Sequence, residues 1–249
     1  MGIWQRRVMT AAPLVFLAAL WVGLTETGTV DPVFLPGPAE TLAGFRKLLT
    51  VDFLQGHLWP SIVRVGGAFL FSTLVAFPLG IMTARVDWMA RVIHPLCGFT
   101  RYLPVAALVP LCILWFGIDD LQKMAVITIG LVFQQVLLFA DDARTVPGDL
   151  VEAGRTFGLS EFEIIRRIVL PWAMPAIWDD MRIAAGWAWS YLVLAELVAG
   201  NKGIGYFVIQ SQRYLETDRV FAGILFIGLL GLLTDRMFKL GAGRMFRWQ

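Results

Sequence analysis

Asp149-Leu150-Val151-Glu152-Ala153-Gly154-Arg155-Thr156-Phe157-Gly158, continued by Leu159-Ser160 and closed by Ile168-Val169-Leu170-Pro171, is a polar interruption between two long apolar runs. Asp149 is placed to cap a helix whose third residue is Glu152, and Pro147-Gly148 hold the chain out of helix just before it. That helix is predicted to run to Phe157, where Gly158 is free to adopt the left-handed backbone that ends a helix. Ser160 then caps a second helix with Glu163 at its third position, a capping box. This second helix carries Phe162, Ile165, Ile168 and Val169, and Pro171 is expected to end it. Two capped helices joined at a glycine make a rigid elbow. Its expected surface is an apolar knob of Ala153, Phe157 and Leu159 ringed by Glu152, Arg155 and Glu161. On spacing alone, an ordinary amphipathic loop helix at a membrane face competes evenly with a docking elbow.

The surroundings decide that the face is a membrane's. Of 249 residues, 57% are hydrophobic and 16% charged, against roughly 25% charged in soluble domains, and the mean hydropathy is +0.68. Ten Trp and eighteen Phe strengthen the assignment to an integral membrane protein. A net charge of +2 is too small to imply nucleic acid. Cys97 and Cys112, if carried on one helix, would stand about 22 Å apart, so they read as small core residues and not as a bridge.

Runs long enough to approach the ~20 apolar residues of a spanning helix are Val8–Leu24, Val65–Ala84, Tyr102–Ile118, Met124–Ala140, Ile183–Gly200 and Val220–Thr234. Six spans is the natural count, or five if one run is re-entrant. The first run follows Arg6-Arg7 without a clear cleavage site, which favours an uncleaved span over a signal peptide. The last can extend to Leu240 if Asp235 and Arg236 snorkel. With the N-terminus inside, fourteen Lys and Arg (Arg101 among them) fall in inner segments and seven in outer ones, a bias that puts both termini and the elbow in the cytoplasm. Outside, Ala39–Leu54 is predicted to form a surface helix, with packing its simplest role. No repeat or linker divides the chain, so residues 1–249 read as one domain containing the segment 149–171.

The interruption resembles the "EAA" coupling motif of ABC importer membrane subunits: Glu-Ala-Gly-x3-Gly-x9-Ile-x-Leu-Pro here, Glu-Ala-Ala-x3-Gly-x9-Ile-x-Leu-Pro in that family. Gly154 is the one departure, costing about 1 kcal/mol of helix propensity and leaving the docking face small. The resemblance extends through Phe34-Leu35-Pro36-Gly37-Pro38, Ser61–Val65, Phe77-Pro78-Leu79-Gly80, Val109–Ile118, Ala195-Glu196, Gly203-Ile204-Gly205 and Arg247-Trp248. These look like the nitrate/sulfonate/taurine/bicarbonate permeases. The resemblance implies an all-α type I importer permease in a bacterial cytoplasmic (inner) membrane. It implies a second permease subunit, most simply an identical copy, cytoplasmic ABC ATPase subunits that bind ATP and Mg, and an extracytoplasmic substrate-binding protein. Coupling to the ATPase would then rest on Glu152, Ala153, Gly154, Arg155, Phe157, Gly158, Leu159 and Ser160. The chain itself would hold no cofactor and perform no catalysis.

Polar groups inside the runs are candidates for the pathway. Glu196 is the one acid of its run, near the outer end, where it would either gate or pair with Lys202 or Arg213. Gln134 and Gln135 can hydrogen-bond between helices or line a polar path, and as neighbours they point in different directions, so packing suits at least one. Trp187, Trp189 and Tyr191 either line a pore or pack. Pro104 and Pro110 are expected to kink the third span. His57 and His94 are isolated, which makes a metal site improbable, and no nucleophile–base pair or phosphate loop is visible. A stand-alone secondary transporter or channel, an intramembrane enzyme, and an importer of an uncharged thiamine-like precursor are the competing readings. The first lacks repeat symmetry, the second lacks catalytic groups, and the third shares the same machinery.

Overall fold

The computed structural model describes residues 3–246, and of residues 3–11, Leu14 and Ala199 the backbone alone. The side chains of Arg6 and Arg7, and the whole of Arg247-Trp248, lie outside what is described. Among the described residues every regular element is helical. In chain order these are α1 (Ile3–Glu26), α2 (Pro38–Leu48), α3 (Val51–Phe53), α4 (Trp59–Arg85), α5 (Asp87–Thr100), α6 (Val105–Phe116) and α7 (Asp120–Arg144). They continue as α8 (Gly148–Thr156), α9 (Glu161–Ile164), α10 (Leu170–Ala199), α11 (Ile204–Arg213) and α12 (Thr217–Met245).

Helices α4, α7 and α10 form the centre. Small residues allow the approach: a Cβ on Gly80 would lie 2.7 Å from the Phe139 side chain and 3.0 Å from the Val136 carbonyl, so α4 and α7 meet nearly backbone to backbone. Gln135, fully buried, donates from Nε2 to Thr73 Oγ1 at 2.9 Å and ties the same two helices together. Arg64, Asp120 and Glu196 meet at one end of the bundle, and Arg85, Arg144, Thr83 and Glu161 meet at the other. Hence α4 and α7 run parallel, α10 runs against them, and the α8–α9 elbow sits at the end opposite Glu196.

Three helical stretches among the described residues are long and apolar enough to cross a membrane alone: Val51–Arg85, Asp120–Arg144 and Thr217–Met245. The predicted third span, Tyr102–Ile118, is not a straight helix. Arg101 to Pro104 break the backbone, and α5 and α6 meet at 99°. At 12 residues, α6 is about 18 Å long and cannot cross by itself. Pro104 occupies the N-cap of α6 and so marks the break, whereas Pro110 lies within α6. The bent pair counts as one further span at most. Cys97 and Cys112 are buried and unbridged as expected, but on the two arms of this bend and not on one helix. Helix α10 spans 30 residues, its apolar character diluted by Asp179, Asp180, Arg182 and Glu196. The last span does run past Leu240, and Asp235 within it accepts from Arg182 at 3.1 Å and Lys239 at 2.7 Å, joining α10 to α12.

The predicted surface helix Ala39–Leu54 appears as α2, which ends at Leu48. It packs by Thr41, Gly44 and Leu48, Gly44 fitting closely against the Asp218 carbonyl at the start of α12. The chain then enters α4 through a π-helical turn, Leu54–Leu58, immediately before Trp59-Pro60.

Candidate functional site: an exposed elbow and a cleft at a helix break

The elbow forms as two short helices, with local differences from the sequence reading. Helix α8 starts at Gly148 with Pro147 at the N-cap, and no side chain caps it. Asp149 lies inside the first turn, so the expected Asp149–Glu152 capping box is absent. Proline's fixed φ sets the entry to the helix instead. At the other end the expected stop is present. Gly158 has φ of +81°, its N–H bonds the Arg155 carbonyl at 2.9 Å, and the Leu159 N–H bonds the Gly154 carbonyl at 3.0 Å, a complete Schellman motif. Ser160 and Glu163 form the second capping box, Ser160 N–H donating to Glu163 Oε2 at 3.1 Å and Glu163 N–H to Ser160 Oγ at 3.3 Å. That backbone bond from Ser160 holds the Glu163 carboxyl below its usual range.

Pro171 does not end the second helix. Helix α9 passes through the π-helical turn Ile165–Val169 into α10 with helical dihedrals at every junction. In this turn the Leu170 N–H reaches back five residues to the Ile165 carbonyl. The widened turn admits a proline, which has no N–H to donate and needs room against the preceding turn. The elbow's second limb is therefore the beginning of the α10 rod.

The elbow's inner face is anchored by Val151 and Ile164, both buried in a cluster with Phe139, Ala143 and Val169. Gly154 belongs to this inner face and not to the docking face: a Cβ there would sit 2.7 Å from Ile168 Cδ1 and 3.4 Å from Ile164 Cγ1. Leu159, expected in the knob, also packs inward. The outer face presents Glu152, Ala153, Arg155, Gly158 and Ser160, with Phe157 85% and Phe162 71% exposed. Arg155 donates from Nε and Nη2 to Glu161 Oε1, both at 2.8 Å, bracing α8 against α9 and holding the Glu161 carboxyl below its usual range. Arg85, at the end of α4, stands 3.6 Å from the same carboxylate.

At the opposite end of the bundle Glu196 is fully buried, and its partner is neither Lys202 nor Arg213. Arg64 donates from Nη1 to Glu196 Oε1 at 2.6 Å and to the Lys202 carbonyl at 2.9 Å, while its other nitrogens hold Asp120. Ser61 Oγ donates to Glu196 Oε1 at 2.8 Å and the Gly205 N–H to Oε2 at 2.8 Å. The carboxylate thus ties α4, α10 and the start of α11 together, and Arg64 joins α7 to them through Asp120. Gly203, at φ +118°, faces the carboxylate so closely that no side chain fits there. Both oxygens of the carboxylate are taken up by hydrogen bonds from within the protein, and this geometry is that of a clamp. The sequence held a clue: Arg64 and Glu196 are lone opposite charges at the same end of two apolar runs.

Gln134 and Trp187 do come together. Gln134 borders two adjoining cavities of about 470 Å³ and 320 Å³, and Trp187 lines the smaller with Leu137, Leu138 and Asp141. Gln135 and Trp189 do not join them, Trp189 donating to Thr234 Oγ1 at 3.2 Å. The cleft opens at the α5–α6 break.

Residues 76–247 match the family of binding-protein-dependent transport system inner membrane components. The chain belongs to this family. It is 30% identical over 246 residues to the putative aliphatic sulfonates transport permease protein SsuC of Bacillus subtilis, covering 99% of this chain and 88% of the relative. It is 28% identical to the taurine transport system permease protein TauC of Escherichia coli (96% and 89% covered), and 29% identical to the bicarbonate transport system permease protein CmpB of Synechococcus elongatus (87% and 81%). The fold matches a chain of the inward-facing MetNI methionine ABC transporter with a TM-score of 0.65 at 17% identity, covering 78% of this chain and 94% of that one. This permease is a membrane transport component and not an enzyme.

Proposed function

We propose that the permease, paired with an identical copy, forms the pathway through which an ABC importer carries a small anion into the cell, driven by a separate ATPase that grips the α8–α9 elbow. The observation that carries this reading is the continuity of the elbow with α10. A push on the exposed face around Phe157 is passed through a capped joint and an unbroken helix to the far end of the bundle, with no flexible linker to absorb it. Glu152, Ala153, Arg155, Phe157, Gly158 and Ser160 form the contact, and Gly154 and Leu159 hold its two limbs together. ATP and Mg belong to the ATPase. The elbow faces the cytoplasm of a bacterial inner membrane with both termini on that side, and an extracytoplasmic binding protein delivers cargo at the Glu196 end. The whole chain acts as one unit.

An anionic cargo is supported by the sulfonate, taurine and bicarbonate systems named for the permease's relatives. The cleft bordered by Gln134 and Trp187 is the proposed pathway wall, while Glu196 and Gln135 are assigned to holding helices together. Gly158→Asp and Glu152→Lys test the coupling: uptake of labelled substrate is expected to disappear while the amount of permease in the membrane stays at the wild-type level. Uptake that survives both changes contradicts the proposal.

A further inference from the structure

We propose that Arg101, at the break between α5 and α6, is the residue that holds the charged group of the cargo in the inner half of the pathway, and that this cargo is a small organic oxyanion of sulfonate type. The inference rests on the reading of the permease as an anion pathway and assigns the site within it.

Depth is the first argument. Sequence counting places Arg101 in an inner loop, yet its side chain borders the same cavities as Gln134, and Gly130 of α7 lines the larger one. Gln134 lies fourteen residues from Asp120 and ten from Arg144, so it sits about 21 Å from one end of α7 and about 15 Å from the other. A side chain bordering α7 between Gly130 and Asp141 lies inside a hydrocarbon core about 30 Å thick, between its middle and its inner edge. Ionisable groups there face a protein interior or water and not lipid. Irregular backbone at such depth is likewise tolerated only where it lines a cavity, and residues 101–104 are irregular.

The second argument is charge. Among the described residues no carboxylate forms an ion pair with Arg101. Its contacts are with Tyr102, to whose hydroxyl Nη2 donates at 3.0 Å and whose ring lies 4.9 Å from the guanidinium carbon. Asp141, on the wall of the smaller cavity, is paired with Arg144 at 3.6 Å. Val105 and Ala106, in the first turn of α6, line the larger cavity beside Arg101. With Pro104 at the N-cap, their amides lack helical acceptors, and this end of α6 carries the positive side of the helix dipole. Cation and helix end converge on one space, which suits a compact anion.

The third argument is the wall. Phe133 and Tyr191 flank the larger cavity, and Trp187, Leu137 and Leu138 the smaller. Gly130 makes this possible, since a Cβ on it would stand 2.8 Å from the Tyr191 ring. An anion with a short apolar body is accommodated better than a bare ion.

The test uses the complete importer, with its ATPase and binding protein, in cells offered labelled ethanesulfonate, nitrate or bicarbonate. Arg101→Gln and Gln134→Glu are expected to lower ethanesulfonate uptake about tenfold or more, while Arg101→Lys retains a substantial part. Because Cys97 and Cys112 are buried, Arg101→Cys adds a single reactive thiol. Ethanesulfonate is expected to protect that thiol from charged methanethiosulfonates, and a cationic adduct to restore uptake where an anionic one does not. Wild-type uptake in Arg101→Gln, or a thiol whose labelling ignores the anion, overturns the site while leaving the permease reading intact. Absence of uptake of all three anions by the wild type overturns both.

Discussion

Glu196 shows how one buried carboxylate organises an end of the bundle. It is inaccessible, it accepts from Arg64, Ser61 and the Gly205 amide, and the closeness of Gly203 leaves no room for a rearranged side chain. Removing the carboxylate leaves the buried Ser61 hydroxyl and Gly205 amide without their acceptor and Arg64 with Asp120 as its one carboxylate, at a cost of about 1–3 kcal/mol for each stranded group. Glu196→Ala is therefore expected to lower the melting temperature of the detergent-purified permease sharply. Gly203→Ala should do the same through backbone strain and collision with the carboxylate. An unchanged melting temperature in both variants contradicts the clamp. Gly154 behaves oppositely. The atom an added methyl would meet is the mobile tip of Ile168, so Gly154→Ala should be neutral to stabilising, by up to about 1 kcal/mol. Thermal unfolding of the purified protein checks the sign.

At the scale of elements, what was legible depended on whether the signal was local. Gly158 and the Ser160–Glu163 pair were readable because a helix stop and a capping box are properties of a few consecutive residues. Pro171 misled because its local meaning, a helix end, was overridden by a π-helical turn that no residue type announces. The same device precedes Pro60, so this chain uses it twice to carry a helix through a proline. The bend between α5 and α6 was half legible: Pro104 was singled out, but as a kink within one helix and not as the cap of a second. The Arg64–Glu196 pair was missed because partners 132 positions apart leave no local pattern. Arg166→Gly together with Arg167→Gly would soften the turn that joins the elbow to α10, each glycine costing about 1 kcal/mol of helix propensity. Uptake should fall with the permease still in the membrane, and normal uptake by this double variant contradicts the rigid rod.

Across the whole molecule, the two ends of the bundle have different characters. One is sealed by a buried ionic knot, and the other presents an exposed apolar and charged elbow braced by Arg155, Glu161 and Arg85. Between them runs a cleft opening at a broken helix. Helical content and the apolar runs made the class plain from composition, whereas the cleft exists only because α5 and α6 diverge. The most direct measurement is site-directed cross-linking of Phe157→Cys, on a background where both native thiols are buried. With a thiol-reactive cross-linker in membranes containing the complete importer, the account predicts a covalent adduct with the ATPase subunit, which Gly158→Asp abolishes together with uptake. If residue 157 labels only from the extracytoplasmic side, or forms no ATPase adduct while transport proceeds, the elbow is not the coupling element.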